Sequence, residues 1–132
     1  MTPLDQTIFG VVTPEDGKRP GNCWQACVAS LLDLPLDQVP HFIEVSPRTW
    51  ERHTRRFVFE HTGLDLGCFL PEFPLTEPGQ YVIGSGPSPR GDFLHAVILD
   101  GATGALAHDP HPSRAGLAGP PIEVHRFAEV AR

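Results

Sequence analysis

The hydrophobic and polar positions along the chain predict two helices in its first half. Nearly every residue from 23 to 34 is apolar or small, which is typical of a helix buried on most sides, and Pro35 ends it. One further turn is expected over residues 36–40. A second helix is predicted over residues 46–61, where Ser46 is a capping residue followed by proline, and Gly63 is a plausible stop.

Alternating and β-branched segments predict strands. A short strand is expected over residues 7–12, followed by a proline- and glycine-rich loop over residues 13–22. Everything after Leu64 is typical of sheet and loop. The predicted strands span residues 80–84, 93–100, 105–109 and 122–127, with a stiff loop over 85–91 and a turn over 100–104. Because helices precede an antiparallel sheet, the predicted class is α+β.

Composition limits what the chain can be. Its 132 residues, of which 40% are hydrophobic, fit one globular domain over residues 1–132. A net charge of -6 without a run of lysine and arginine excludes the usual nucleic-acid-binding surface. No apolar window approaches the length of a membrane span, and no signal-peptide pattern opens the chain, so a soluble cytoplasmic protein is expected. The oligomeric state stays open.

Cys23 is a candidate nucleophile because it starts a helix. Unpaired backbone N–H groups and the positive end of the helix dipole converge there and favour the thiolate. The preceding Gly21 and Asn22 would leave one side of the sulfur open. The alternative is a buried, inert cysteine, which we expect for Cys27, one turn deeper, and for Cys68. Two cysteines four residues apart on a helix cannot form an unstrained disulfide, so reduced thiols are expected.

His95 and Asp109 are the candidate partners of such a thiolate, which needs a histidine and a group that orients it. If the turn after the His95 strand is centred on Ala102, His95 lies directly opposite Asp109, with Cβ atoms about 5 Å apart. If the loop instead has Gly104 in the left-handed conformation, His95 faces His111 and Asp109 is its diagonal neighbour. Both registers bring His95 and Asp109 within reach.

Two short motifs resemble a known family. The segment GNCWQACVAS resembles the nucleophile helix of papain-like cysteine peptidases, and LHAVILDG resembles their histidine strand. The segment HDPHP is similar to the compact bacterial members that cleave double-glycine leader peptides. The resemblance implies a papain-like fold, with the nucleophile helix packed on an antiparallel sheet. It also implies Cys23 as nucleophile, His95 as acid and base, and Asp109 as its orienting partner.

The activity that this resemblance implies is acyl transfer on a peptide or protein substrate, without a metal or another cofactor. Peptidase, isopeptidase, deamidase and transamidase chemistry all use the same groups. The family places an oxyanion-binding glutamine before the cysteine, but the matching position is Gly17 and no glutamine lies between Thr7 and Cys23. Asn22 is therefore the favoured side-chain donor, with Gln25 as the second candidate.

Substrate contacts are expected on either side of the nucleophile. Trp24 is either part of the core or a wall of the cleft, and we expect it to flank the cleft. The loop over residues 85–91 precedes the His95 strand, so its Ser85 and Arg90 would lie at the rim. There Arg90 could bind a substrate carboxylate, although proline and glycine also make loops without any function.

Two further functions remain as alternatives. The missing glutamine permits an inactive papain-like binding module. A zinc site would use Cys23, Cys27 and His95, but the chain has no Cys-x-x-Cys pair, and the neighbours His108 and Asp109 point to opposite faces of a regular strand. The remaining histidines are expected to be exposed or hydrogen-bonded; they are His41, His53, His61 and His125.

Overall fold

Helices precede and pack on an antiparallel sheet in the computed structural model, which describes residues 1–10 and 20–130. The helices are α1 (Cys23–Leu32), α2 (Phe42–Val45) and α3 (Trp50–Thr62), with a 3-10 turn at Leu36–Gln38. The strands are β1 (Asp65–Phe69), β2 (Tyr81–Pro87), β3 (Leu94–Asp100), β4 (Leu106–His108) and β5 (Glu123–Ala128). Within the described ranges they form one five-stranded sheet in the order β1-β5-β2-β3-β4, with every pair antiparallel. The predicted α+β class is confirmed.

Helix α1 begins on Cys23 and ends slightly earlier than its sequence predicts. Asp33 adopts a left-handed conformation with φ 55°, and its N–H donates to the carbonyl of Ser30. The chain therefore leaves the helix two residues before Pro35. The 3-10 turn at Leu36–Gln38 confirms the predicted further turn. No helix in the described part of the chain has the length and hydrophobicity that a bilayer crossing requires.

The next helix starts later than predicted. Ser46 follows the short, unpredicted α2, which the buried Phe42 anchors, and α3 begins only at Trp50. The Ser46 hydroxyl lies 3.0 Å from Nδ1 of His53, so it does not cap a helix as expected. Gly63 ends α3 with φ 74°, as predicted.

The strands after Leu64 correspond to the predicted ones with two differences, and a third difference lies near the start of the chain. Strand β2 continues to Pro87 because Ser85 pairs with Ala96 across the sheet, and this pairing outweighs the local preference of glycine and proline for loops. The edge strand β1 was predicted only as sheet or loop. Residues 7–10 form no strand, whereas residues 11–12 of that predicted strand and residues 13–19 of the predicted loop lie outside the described part.

The hairpin between β3 and β4 adopts the second of the two expected registers. Ile98 pairs with His108, and a β-bulge separates this pair from that of Leu99 and Leu106. Gly104 has φ 78°, and its N–H donates to the carbonyl of Asp100. Extended towards His95, this register places Asp109 diagonally opposite the histidine rather than directly opposite it.

The main core lies between the helices and the sheet. It is built from apolar side chains of α1, α2, α3 and the central strands, namely Trp24, Cys27, Val28, Ala29, Phe42, Val58, Leu66, Ile83 and Ile98. Alternate strand residues form a second cluster, consisting of Val82, Val97, Leu99 and Val124. Cys27 is buried as expected, but Cys68 is exposed because β1 is an edge strand. Packing of α1 against β3 brings the start of α1 towards the start of the His95 strand.

Candidate active site

Cys23 opens into a cleft at the start of α1. The walls of this cleft come from four parts of the chain and include Gln6, Phe9, Gly10, Gly21, Arg90, Phe93, Leu94, His95 and His111. Backbone hydrogen bonds join Gly21 to Gly10 and Asn22 to Ile8, each at 3.2 Å. A Cβ atom on Gly21 would lie 2.8 Å from the Gly10 carbonyl oxygen, so only glycine permits this close approach. The N-terminal segment is thereby held against the loop that precedes the cysteine.

His95 stands between Cys23 and Asp109. Its side chain is only 3% exposed, and its Nε2 donates to Oδ1 of Asp109 at 2.7 Å. This bond leaves Nδ1 as the ring nitrogen available to Cys23, whose side chain also interacts with the ring. Burial disfavours the charged ring, but the hydrogen bonds that the ring makes to Asp109 and Cys23 outweigh it and raise the pKa of His95 to about 9.

Asp109 is fixed from both sides of its carboxylate. Oδ1 also accepts the backbone N–H of His111 at 2.9 Å, and Oδ2 accepts that of Gly116 at 2.7 Å. The side chain is buried, which would favour the neutral acid, yet the bonds to His95, His111 and Gly116 lower the pKa of Asp109 to about 2. Asp109 is therefore an ionised acceptor that fixes both the orientation and the tautomer of His95.

Comparisons with protein-family models, curated proteins and solved structures found no match. The interpretation of the cleft therefore depends on its own geometry.

The prediction that Asn22 binds an oxyanion is wrong. Its side chain is buried, and Oδ1 accepts the backbone N–H groups of Thr7 and Ile8 at 2.9 and 2.8 Å. Both hydrogens of Nδ2 are used as well, since this atom donates to Thr7 Oγ1 and to Gln25 Oε1. The amide holds the N-terminal segment in place and has no donor left for a substrate.

Gln25 is excluded from the same role for a similar reason. Its Nε2 donates to the carbonyls of Leu36 and Val39, at 3.1 and 2.8 Å. These bonds tie α1 to the 3-10 turn. Both candidates are structural amides because each lies next to backbone groups that need a partner.

Gln6 is the cleft amide that sequence reasoning missed. It lines the cleft together with Cys23, and its Nε2 donates one hydrogen to the carbonyl of Ile8 at 3.0 Å, while the second hydrogen has no acceptor among residues 1–10 and 20–130. Its backbone N–H donates to the carbonyl of Pro110, next to Asp109. Gln6 stands one position before the interval from Thr7 to Cys23 in which glutamine is absent. The sequence therefore does contain a glutamine before the cysteine, but it lies one residue outside that interval.

The predicted substrate contacts are only partly placed in the cleft. Trp24 is buried, its Nε1 donates to Thr54 Oγ1 at 3.0 Å, and its ring packs against Trp50, so it is a core residue and not a cleft wall. Ser85 lies within β2 and is absent from the cleft residues, because the predicted loop begins later. Arg90 does line the cleft, as expected of a rim residue.

His111 forms the wall of the cleft next to His95. The two ring centroids lie 6.4 Å apart, and His111 Nδ1 accepts the backbone N–H of Ser113 at 3.0 Å. Burial and the nearby Arg90 guanidinium lower the pKa of His111. The ring is therefore neutral at pH 7, and the bond at Nδ1 places its proton on Nε2.

The zinc set that the sequence suggested does not assemble. In the described ranges, the residues whose ligand atoms lie close enough to share a metal ion are Cys68, Glu123 and His125. Cys27 packs in the core, where burial raises the pKa of its thiol well above the ordinary value. His108 lies apart from the cleft residues, with its Nε2 2.9 Å from the carbonyl oxygen of Leu4.

Proposed function

We propose that the protein is a small cysteine hydrolase with a papain-like arrangement, acting on amide bonds of peptides or proteins. The observation that carries this proposal is the position of His95, which donates from Nε2 to the buried Asp109 while Cys23, at a helix start, interacts with the same ring. A nucleophile, a base and a group that orients the base are the parts that covalent acyl transfer needs.

The reaction begins when the Cys23 thiolate attacks the carbonyl carbon of the substrate. A carbon–sulfur bond forms, and the π electrons of the carbonyl move to its oxygen. As the tetrahedral intermediate collapses, the carbon–nitrogen bond breaks and protonated His95 gives its Nδ1 proton to the leaving amine. Water then attacks the thioester, His95 accepts a proton from the water, and the acid product leaves as the thiolate reforms.

Gln6 is the proposed side-chain donor to the oxyanion. Among the described residues its second Nε2 hydrogen has no acceptor, and Gln6 lines the same cleft as Cys23. The backbone N–H of Cys23 is free of an intrahelical partner because Cys23 starts α1. Gln6 is not at the position that matches the family's glutamine, Gly17, but it would have the same role. The alternative of an inactive binding module depends on the absence of such a glutamine. A Gln6 amide in the cleft therefore favours an enzyme over the binding module.

The cleft favours a peptide as the substrate. Three apolar side chains line it, and Phe9 and Leu94 are each 58% exposed, which suits contact with apolar side chains of an extended peptide. Phe93 completes this apolar surface. Arg90 lies among these residues as a positive group that can pair with a substrate carboxylate.

A peptidyl vinyl sulfone tests the proposal, with its adducts located by peptide mass spectrometry. We expect modification of Cys23 in the native protein, strong slowing in His95→Ala and no modification at this position in Cys23→Ala. Cys68 is the internal control, since it is exposed, and burial and the Glu123 carboxylate raise the pKa of its thiol to about 11. Equal labelling of Cys23 and Cys68, or unchanged labelling of Cys23 in folded His95→Ala, would overturn the proposal.

A further inference from the structure

A second group of ligating side chains lies where β1 pairs with β5, apart from the cleft. Cys68 and His125 are direct partners in this antiparallel pair, so their side chains share one face of the sheet. Glu123 is two residues before His125 on the same strand and therefore shares that face. Glu51, from the first turn of α3, approaches the His125 ring from above the sheet.

His125 is the unusual member of this group. Its side chain is 1% exposed, and neither ring nitrogen has a hydrogen-bond partner in the described part of the chain. The expectation that His125 is exposed or hydrogen-bonded is therefore wrong. Buried imidazole nitrogens are normally paired, because an unpaired polar atom loses its hydration without replacement. A ring nitrogen here is available to a ligand.

The distances between Cys68, Glu123 and His125 fit ligands of one metal ion, and Glu51 lies next to His125. Cys68 Sγ lies 3.5 Å from Glu123 Oε2, and His125 Nε2 lies 3.6 Å from Glu51 Oε2. Zinc bonds of about 2.0–2.3 Å place neighbouring ligand atoms about 3.3–3.6 Å apart in a tetrahedron. One ligand atom each from Cys68, Glu123 and His125 also lies within 4.8 Å of the others. Small side-chain adjustments would bring these atoms onto one ion.

The donor set selects the class of metal. A thiolate, an imidazole and carboxylates together suit Zn²⁺ and similar transition-metal ions, whereas Mg²⁺ and Ca²⁺ take oxygen ligands. The Glu123 carboxylate lies next to the Cys68 sulfur, and the Glu51 carboxylate lies next to His125. A bound cation would compensate these negative charges and bind Cys68 as the thiolate, with release of its proton.

We propose that Cys68, Glu123 and His125 form a binding site for a divalent transition-metal ion of the Zn²⁺ type, with the neighbouring Glu51 as a fourth ligand once its side chain turns towards the ion. The ion would join the start of α3 to β1 and β5. It would stabilise the fold rather than take part in the chemistry of the cleft, and the proposal is independent of the proposed enzymatic function. Because Cys68 is exposed, an ion from solvent can bind there first and then reach the buried His125.

Zinc titration by calorimetry and Co²⁺ titration by absorption spectroscopy test this site. We expect one equivalent of Zn²⁺ to bind and to raise the Tm, and Co²⁺ to give a thiolate-to-metal charge-transfer band. Cys68→Ser should abolish the band and weaken Zn²⁺ binding by about tenfold or more. Because Cys68 is exposed, this variant should fold, whereas replacement of buried His125 carries a risk of misfolding.

Cys23→Ala is the matched control, since it removes the other accessible thiol and leaves the proposed metal ligands in place. It should keep both the Co²⁺ band and the Zn²⁺ stoichiometry. Glu123→Gln gives a second variant and should also weaken Zn²⁺ binding. The proposal would be overturned by the absence of Zn²⁺ binding, or by a Co²⁺ band that is lost in Cys23→Ala and retained in Cys68→Ser.

Discussion

The imidazole of His95 donates from Nε2 to Oδ1 of Asp109 at 2.7 Å, and both side chains are almost completely buried. The same carboxylate accepts backbone N–H groups of His111 and Gly116. The backbone of its own loop therefore holds the Asp109 carboxylate, and the carboxylate in turn holds the His95 ring. Asp109 is a positioning residue, because it acts on the reaction only through His95.

Asp109→Ala should therefore lower both turnover and stability. The substitution leaves the N–H groups of His111 and Gly116 without their acceptor, and buried unpaired donors cost about 1–3 kcal/mol each. We expect a loss of about 2–4 kcal/mol in the free energy of unfolding, measured with urea. Hydrolysis of a peptide p-nitrophenyl ester should slow by about 100-fold or more. Wild-type rates in a stably folded Asp109→Ala protein would contradict the role of Asp109.

The His95–Asp109 pair should also make stability depend on pH in two windows. The pKa of Asp109 is lowered from 3.8 to about 2, so its contribution is present above about pH 4 and is lost as pH falls through 2. The pKa of His95 is raised from 6.5 to about 9, so its contribution is complete below about pH 6.5 and is lost as pH rises through 9.

Urea unfolding between pH 2 and pH 10 measures these windows, with Asp109→Asn as the control. The difference in unfolding free energy between the two proteins should be greatest between about pH 4 and pH 6.5. It should shrink on both the acid and the alkaline side. A difference that stays constant with pH would show that the pair does not ionise as described.

Gln6 and Gln25 offer a matched pair of amide substitutions. Gln6→Ala should lower kcat for ester hydrolysis by about 10²–10³-fold with little change in KM, because the lost N–H acts on the oxyanion of the transition state. Gln25→Ala should leave kcat unchanged and lower stability, because its amide bonds to Leu36 and Val39 tie α1 to the following turn. Equal effects of the two substitutions on kcat would argue against an oxyanion role for Gln6.

Trp24→Phe should affect stability and not substrate binding. The change keeps an aromatic ring in the core but removes the Nε1 bond to Thr54, which normally contributes about 1 kcal/mol. We expect a loss of about 1–2 kcal/mol in the free energy of unfolding and an unchanged KM. A large rise in KM without loss of stability would indicate instead that Trp24 contacts the substrate in the cleft.

The sequence predicts those parts of the fold and site that local patterns determine. The apolar run of α1 identifies Cys23 as a helix start, and the short hairpin after β3 limits the positions that can face His95. Both expected registers keep Asp109 within reach of His95, so this contact follows from the sequence whichever register the hairpin adopts. Gly104, in the left-handed conformation, accompanies the second of these registers.

The missed features depend on contacts between distant parts of the chain. Gln6 reaches the cleft because backbone hydrogen bonds hold residues 8–10 against residues 21–22. The hydrophobic pattern of the sequence does not predict that these two segments pair. Trp24 turns into the core because Thr54, in a different helix, accepts its indole N–H. His125 is buried because β5 lies inside the sheet, between β1 and β2. Each outcome is set by tertiary packing, which a single sequence does not reveal.

The rate of iodoacetamide alkylation of each cysteine against pH, measured by peptide mass spectrometry, tests the Cys23–His95 relationship most directly. In the native protein Cys23 should react fastest at pH 6–7, since burial raises the pKa of Cys27 and, with Glu123, that of Cys68. His95→Ala should slow Cys23 at pH 6 by about tenfold or more and leave Cys68 unchanged. Alkylation of Cys23 at the rate of Cys68, or a pH profile unaffected by His95→Ala, would contradict the account.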